Sequence, residues 1–239
     1  MSSPELGRAA LRKAMAANEP MRRLKNQITY GALLRVVSQF PNVLGDDEPI
    51  LEAVQAMAAA EFEKKPPRED DNDDADWGII HGDFWSGKAS AKLFFSSILL
   101  PSEDHLQSSS PARQLFVVDW EFAQYGHRAY DIGQLIGDLI ERHHFRGATA
   151  SLDVLAGFTS GYGFPGRSSQ DDHRLAFRVA IHAGVQLIGC YIRRAPTGPL
   201  PGTPEQVKQA LRLGIDFVLK GWAKDREWFK QSVLSVLFV

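Results

Sequence analysis

Two kinds of apolar pattern divide this chain, and together they restrict what it can fold into. Through the first third and the last half, apolar residues recur every three or four positions, which is the spacing of amphipathic helices. Between these regions lie the runs WGII, SSILL and QLFVV, whose β-branched and aromatic residues favour strands. We therefore predict an α+β fold that is mostly helical and contains a few short strands.

The apolar stripes locate the helices. Asp46 and Asp47 precede EPILEAVQAMAAAEFEKK and predict a cap and a favourable first-turn charge for that helix. Thr203 and Pro204 predict a cap and a first-turn proline for the last long helix. The first stripe, in NQITYGALLRVVSQF, consists of Ile28, Ala32, Leu33, Val36, Val37 and Phe40.

Composition excludes several classes of protein. The chain has 239 residues, of which 44% are hydrophobic, and its net charge is -2, so neither a nucleic-acid partner nor a membrane partner is expected. No stretch of 18 apolar residues occurs, and the polar, alanine-rich start does not resemble a signal peptide. The single cysteine, Cys190, favours a reducing compartment. We expect a cytoplasmic protein.

The stretch KKPPREDDNDDAD, at about residues 64–76, interrupts the helical pattern. It contains proline and many acidic residues but almost no apolar ones, which predicts a solvated, mobile loop. A metal site would require these acidic side chains to be held in place, and the sequence gives no sign of that. Solubility is therefore the preferred interpretation of the aspartates.

Two aspartates follow predicted strands and are candidates for chemistry. Asp83 comes just after WGII, in IIHGD, and Asp119 ends LFVVD. Side chains at strand ends that open into loops are exposed and well oriented, although a polar residue ending a strand is also ordinary. The two aspartates together, within His-Gly-Asp and Val-Asp-Trp-Glu, favour a functional role.

The stretches HGDFWSG, ILL and LFVVDWEFAQYGHRAYDIGQL resemble the aminoglycoside phosphotransferase and choline kinase family, which shares the fold of protein kinases. The resemblance spans about residues 25–230 and is specific between 77 and 138. It implies a C-terminal lobe in which short antiparallel strands carry the catalytic and metal loops. It also implies ATP and Mg²⁺, with a hydroxyl group of a small molecule as the phosphate acceptor.

The resemblance assigns roles to four residues. Asp83 would accept or orient the proton of the attacking hydroxyl, and Asp119 would bind Mg²⁺ at the nucleotide phosphates. His81 and Asp131 would be structural residues of the catalytic loop, with Asp131 bracing the loop or capping the following helix.

Other residues near these motifs have weaker assignments. Glu121 would add a carboxylate or be exposed. Phe84, Trp85 and Trp120 are expected to pack, and the adjacent His143 and His144 are not expected to form a metal site.

One departure from the family pattern concerns a metal-binding asparagine, which is expected a few residues after His-Gly-Asp. Lys88 stands there instead, and lysine cannot ligate Mg²⁺, although it can contact a phosphate directly. Removing residues 88–97 would nearly restore the family pattern. We therefore hypothesise that this segment is retained intron sequence, although it is short for an intron. A transcript that contains its codons would refute the hypothesis.

The second departure is the absence, before residue 77, of a glycine-rich loop and of a strand bearing a central lysine. We expect residues 1–24 to be a helical or flexible segment and 25–239 to be an isolated C-terminal lobe, with loops at 77–138 and a helical subdomain at 139–230. Two functions remain open: an active phosphotransferase, or an impaired pseudokinase-like or truncated lobe that binds. In the second case a protein partner is expected to cover the face left bare by the missing lobe.

Overall fold

The computed structural model describes residues 10–11, 13–15, 18–44, 47–64, 76–86, 97–99, 115–162, 173–191 and 198–238. Lys88 and residues 65–75 of the expected acidic loop lie outside these ranges. Among the described residues, no helix combines the length and the apolar character that crossing a membrane requires.

The described part of the chain before residue 65 is helical, as the periodicity predicts. However, a 3₁₀ turn interrupts the first stripe, and Ile28 is 49% exposed rather than part of the core. Asp47 occupies the N-cap position of its helix, but its side chain makes no capping hydrogen bond, and Asp46 lies outside the described residues. The acidic charge in the first turn comes from Glu48, and the same turn contains a proline. The elements are α1 (Glu19–Thr29), the 3₁₀ turn Tyr30–Ala32, α2 (Leu33–Val37), α3 (Pro41–Leu44) and α4 (Glu48–Glu63).

Within the described ranges, four short strands form two antiparallel pairs. Strands β1 (Trp77–Ile80), β2 (Ile98–Leu99) and β3 (Phe116–Val117) coincide with the three predicted runs, whereas β4 (Gln124–His127) was not predicted. Strand β1 pairs with β4, and β2 pairs with β3. The segments that contain Asp83 and Asp119 therefore follow β1 and β3, one strand from each pair, and the mixture of elements is an α+β fold.

The C-terminal half is a group of helices around a buried central one. Thr203 caps the last long helix as predicted, because its hydroxyl accepts from Gln206 N at 3.2 Å while Gln206 Oε1 accepts from Thr203 N at 2.9 Å. The elements are α5 (Ala129–Arg146), α6 (Ala150–Tyr162), α7 (Arg174–Gly189), α8 (Pro204–Trp222), α9 (Arg226–Lys230) and the 3₁₀ turn Ser235–Leu237.

Helix α7 joins two hydrophobic clusters. One of its faces packs with α5 and with the chain end, where Leu234, Leu237 and Phe238 are buried. The opposite face packs with Tyr30 of the 3₁₀ turn and with α2, α4 and α8. The predicted boundary at residue 24 falls inside α1, and the division of the chain at that point remains a prediction.

A buried histidine marks the contact between the N-terminal helices and α7. His182 stacks on Tyr130 with ring centroids 4.1 Å apart, and its Nδ1 is hydrogen-bonded to the hydroxyl of Tyr30. Burial lowers the pKa of His182 to about 3, so the ring is neutral at physiological pH. The N-terminal helices are thus joined to α7 by both polar and apolar contacts.

Candidate active site

The segment His81-Gly82-Asp83 leaves β1 in a tight turn that depends on its glycine. Gly82 has φ 81°, a conformation that side-chain-bearing residues rarely adopt. A Cβ atom at this position would also lie 2.2 Å from the carbonyl oxygen of Phe122. Backbone conformation and close approach therefore both require glycine between the histidine and the aspartate.

Asp131 lies in the first turn of helix α5 and braces the tight turn His81-Gly82-Asp83. Its two carboxylate oxygens accept from the backbone N–H groups of His81, at 2.6 Å, and of Gly82, at 2.9 Å. Burial raises the pKa of Asp131 above its usual range, although the two N–H groups oppose that shift. Asp131 lies within α5 rather than at its N-cap position, which is Arg128, so the contacts of Asp131 brace the loop and do not cap the helix.

His81 connects the Asp83 loop to the Asp119 loop. Its Nε2 lies 2.7 Å from the carbonyl oxygen of Val118, which can only accept, and its Nδ1 lies 3.2 Å from the Asp83 N–H, which can only donate. These partners assign the proton to Nε2 of a neutral ring. Since both ring nitrogens are used by the backbone, His81 positions the loop.

Ser97 provides a second connection between the two loops. Its side chain is buried, its hydroxyl donates to the Asp83 carbonyl oxygen at 2.7 Å, and its own carbonyl accepts from Val118 N at 3.0 Å. Ser97 directly precedes β2, the strand before which the family pattern places asparagine. The end of the unusual segment 88–97 is therefore integrated into the site, and the retained-intron hypothesis for that segment remains untested.

The carboxylate of Asp83 is half-buried and held on one side. Its Oδ1 accepts from Lys25 Nζ at 3.0 Å and from Gln134 Nε2 at 2.7 Å. Burial alone would raise the pKa of Asp83, but Lys25 and the hydrogen bond from Gln134 outweigh burial, so the pKa lies below its usual range. Asp83 is therefore ionised at neutral pH and can act as a proton acceptor.

Asp119 has the strained geometry common at functional sites. It adopts a left-handed conformation with φ 70°, between β3 and the 3₁₀ turn Trp120–Phe122, and its side chain is exposed. The following residue, Trp120, was expected to be packed but is 51% exposed. It covers one side of His81, at a centroid distance of 4.8 Å. Glu121 is exposed next to it.

The donor set at Asp119 fits Mg²⁺. No cluster of three or more potential ligands occurs among the described His, Cys, Asp and Glu residues. Mg²⁺, however, usually binds one or two carboxylates together with phosphate oxygens and water. An exposed carboxylate that makes no capping hydrogen bond to the adjacent turn meets that requirement.

Two cavities meet at Asp83. The larger, of about 460 Å³, is lined by Trp85, charged residues of α5 and the segment that leads into α8. The smaller, of about 240 Å³, is lined by Lys25 and by the rings of Tyr30 and Tyr130.

Trp85, which was expected to pack, forms part of the wall of the larger cavity. Phe84 packs against the C-terminal cluster. The adjacent histidines His143 and His144 lie on α5 and line neither cavity, and His144 is hydrogen-bonded to the Gln206 carbonyl.

Sequence reasoning missed three residues of this site: Lys25, Gln134 and Ser97. Lys25 lies 58 positions before Asp83 in a polar helix, and Gln134 lies 51 positions after it. Ser97 was assigned to the unusual segment. For Gln134 a signal did exist, because it follows Asp131 by three positions and therefore lies on the same face of α5.

Comparison with known proteins gives one informative match. No family model matches the chain. Phosphotransferase FrzJ from Cladobotryum sp is 28% identical over 209 residues, which is 87% of this chain and 47% of that protein. The chain therefore spans about half the length of this curated relative. The match supports a relationship to a phosphotransferase family and suggests phosphotransfer chemistry in general.

Proposed function

We propose that this chain is the C-terminal lobe of a phosphotransferase of the aminoglycoside phosphotransferase and choline kinase type, which transfers the γ-phosphate of ATP to a hydroxyl group of a small molecule. One observation carries the proposal. The Asp83 loop and the Asp119 loop are tied together through His81 and Ser97, in a chain that resembles a phosphotransferase.

In the proposed reaction, the acceptor oxygen forms a bond to the γ-phosphorus while the bond from that phosphorus to the β,γ-bridging oxygen breaks, and ADP leaves. The acceptor proton passes to the carboxylate of Asp83. Phosphoryl transfer needs mainly alignment and charge stabilisation, so an ionised, fixed carboxylate beside the acceptor is the appropriate group. Positioned general bases typically contribute about 10²- to 10⁴-fold in rate.

Asp119 is the proposed ligand of Mg²⁺. The ion would supply positive charge at the nucleotide phosphates. We also propose that Lys88, which lies outside the described residues, contacts a phosphate group directly. Ser97 directly precedes β2, and its hydroxyl already donates to the Asp83 carbonyl, so we assign Ser97 a role in fixing the loops.

We assign the acceptor to the larger cavity. Its volume of about 460 Å³ lies within the range of small-molecule sites, and Asp83 forms part of its wall. Trp85 offers an apolar surface, while Glu141 and Arg142 offer polar groups. This combination suits a polar molecule that carries a hydroxyl group and one apolar face.

Calorimetric titration tests the proposal. ATP is titrated with and without Mg²⁺ into the purified chain and into the Asp119→Ala variant, with Asp153→Ala, an exposed aspartate of α6, as the control. We expect heat of binding that requires both Mg²⁺ and Asp119 and that Asp153→Ala leaves unchanged. ADP release with a panel of hydroxyl compounds should then depend on Asp83 and be lost in Asp83→Asn.

Two results would contradict the proposal. Nucleotide binding that is indifferent to Mg²⁺ and to Asp119 would remove the metal site. The absence of binding in both proteins would favour the second function, a lobe that binds a partner without catalysis.

A further inference from the structure

The geometry points to Lys25 as a positioning residue for Asp83: we infer that Lys25, from the N-terminal helix α1, holds one carboxylate oxygen so that the other faces the acceptor hydroxyl. This inference rests on the proposed function. It assigns part of the catalytic geometry to helix α1, through which the predicted boundary at residue 24 passes.

The contacts of Lys25 form a closed triangle. Its Nζ lies 3.0 Å from Asp83 Oδ1 and 3.0 Å from Gln134 Oε1, while Gln134 Nε2 donates to the same Asp83 oxygen at 2.7 Å. Within the described part of the chain, both hydrogen bonds reach Oδ1 and none reaches Oδ2. The triangle therefore fixes the carboxylate plane and leaves Oδ2 for a proton.

Burial argues that the charge of Lys25 has a purpose beyond packing. The side chain is only 8% exposed, whereas that of Asp83 is 34% exposed. Removing an ammonium group from water is unfavourable, and an apolar side chain of similar shape often stabilises a protein equally well or better. We therefore attribute the buried ammonium group of Lys25 to its effect on the partly exposed carboxylate of Asp83, which it positions.

The position of the pair in the fold supports the same conclusion. Lys25 lines the smaller cavity, whereas Asp83 and Gln134 line both cavities. Lys25 thus approaches Asp83 from the smaller cavity and does not line the larger one, to which we assign the acceptor. A cation in that place can hold the carboxylate without occupying the acceptor site.

Several other charged groups surround Asp83 and must be considered in any pH experiment. His81 lies in the same loop, with both of its ring nitrogens hydrogen-bonded to the backbone. Asp138, Glu141, Arg142 and Arg146 of α5 line the same cavity, and Asp138 is already paired with Arg142 at 3.1 Å. Lys25 is therefore the cation in direct contact with Asp83 among the described residues.

The test compares Lys25→Met with Arg23→Met, which removes an exposed cation from the same helix. In Lys25→Met we expect kcat to fall about tenfold or more, a part of what a general base contributes, with an unchanged KM for ATP. Without Lys25 the pKa of Asp83 rises. The acidic limb of the pH–rate profile, which reports ionisation of the base, should therefore move to higher pH.

A second readout does not depend on activity. The Asp83 carboxyl group is titrated by carbon NMR, with Asp83→Asn to assign its signal, and its midpoint should rise in Lys25→Met but not in Arg23→Met. If Lys25→Met folds poorly, Gln134→Leu removes the second donor to Oδ1 without leaving a buried charge unpaired. It should also lower kcat and raise the midpoint.

The outcomes separate this inference from the proposed function. A wild-type chain that transfers no phosphate to any hydroxyl compound would overturn the proposed function. An active wild type whose Lys25→Met variant behaves like Arg23→Met would overturn the role of Lys25 alone. A raised KM for ATP with an unmoved acidic limb would also overturn that role, because it would make Lys25 a phosphate contact.

Discussion

At the scale of single residues, Asp131 shows how a carboxylate can organise a loop that it does not belong to. Asp131→Ala would leave the N–H groups of His81 and Gly82 without their acceptors. Each unpaired buried donor lowers the free energy of unfolding by about 1–3 kcal/mol. Removing Asp131 also removes the unfavourable burial of its charge, which offsets part of that loss. We expect a destabilisation of about 3 kcal/mol, measured by urea unfolding.

The control for this prediction is Asp153→Ala, which removes an exposed aspartate and should change stability by less than about 0.5 kcal/mol. Equal stability of the two variants would show that water satisfies the loop N–H groups when Asp131 is absent. The bracing role would then be wrong.

The same scale shows what a sequence can reveal about a site. Asp83 and Asp119 were predicted because each follows a predicted strand, whereas His81 and Asp131 were predicted from the resemblance of HGD and AYDIG to the family pattern. Lys25 was not, because its partner lies 58 positions away and its own helix is rich in charge. Local patterns identify residues that act through neighbouring backbone, whereas a partner delivered by another element depends on tertiary packing.

At the scale of elements, helices α7 and α8 approach each other through glycines. A Cβ atom on Gly184 would lie 2.4 Å from the Gly214 carbonyl oxygen and 3.0 Å from the Phe217 Cβ. The backbone of α8 would have to move, so we expect Gly184→Ala to destabilise the protein by about 2 kcal/mol in spite of the better helix propensity of alanine. Thermal unfolding measures the effect.

Gly157 in α6 provides the matched comparison. A Cβ atom there meets nothing within 4 Å, so Gly157→Ala should stabilise the protein by about 0.5–1 kcal/mol through helix propensity alone. If both substitutions stabilise the protein, α7 and α8 are not in close contact at Gly184.

Elements also differ in how far the sequence predicts them. Long helices were predicted because their apolar period is sustained over several turns, and β1 to β3 because their residues are β-branched or aromatic. Strand β4, with the sequence QYGH, has one aromatic and no β-branched residue, and it exists because β1 offers it a partner, with Ile80 opposite Gln124. The 3₁₀ turn Tyr30–Ala32 was missed because an apolar stripe continues across it.

At the scale of the whole molecule, the two hydrophobic clusters share helix α7. Val179, Ala183 and Leu187 belong to the cluster with the chain end, whereas Ile181, Val185 and Ile188 belong to the cluster with the N-terminal helices. Because one helix supplies both clusters, neither can lose its packing without exposing a face of α7. This arrangement predicts that the described core unfolds in one transition, despite the boundary that the sequence suggested at residue 24.

Val36→Ala tests that prediction from the N-terminal side. Val36 is fully buried in the cluster with the N-terminal helices, whereas Trp228 packs against the other cluster. The lost packing should cost about 2 kcal/mol and lower Tm by about 4–8 °C. Because both clusters depend on α7, tryptophan fluorescence and far-ultraviolet circular dichroism should shift together.

Val154→Ala, at a 53% exposed position, should shift neither signal by more than about 1–2 °C. A Val36→Ala protein in which circular dichroism reports an earlier transition and fluorescence keeps the wild-type midpoint would show that the N-terminal helices fold as a separate unit. Lys25 would then be carried to Asp83 by an element that can detach from the site.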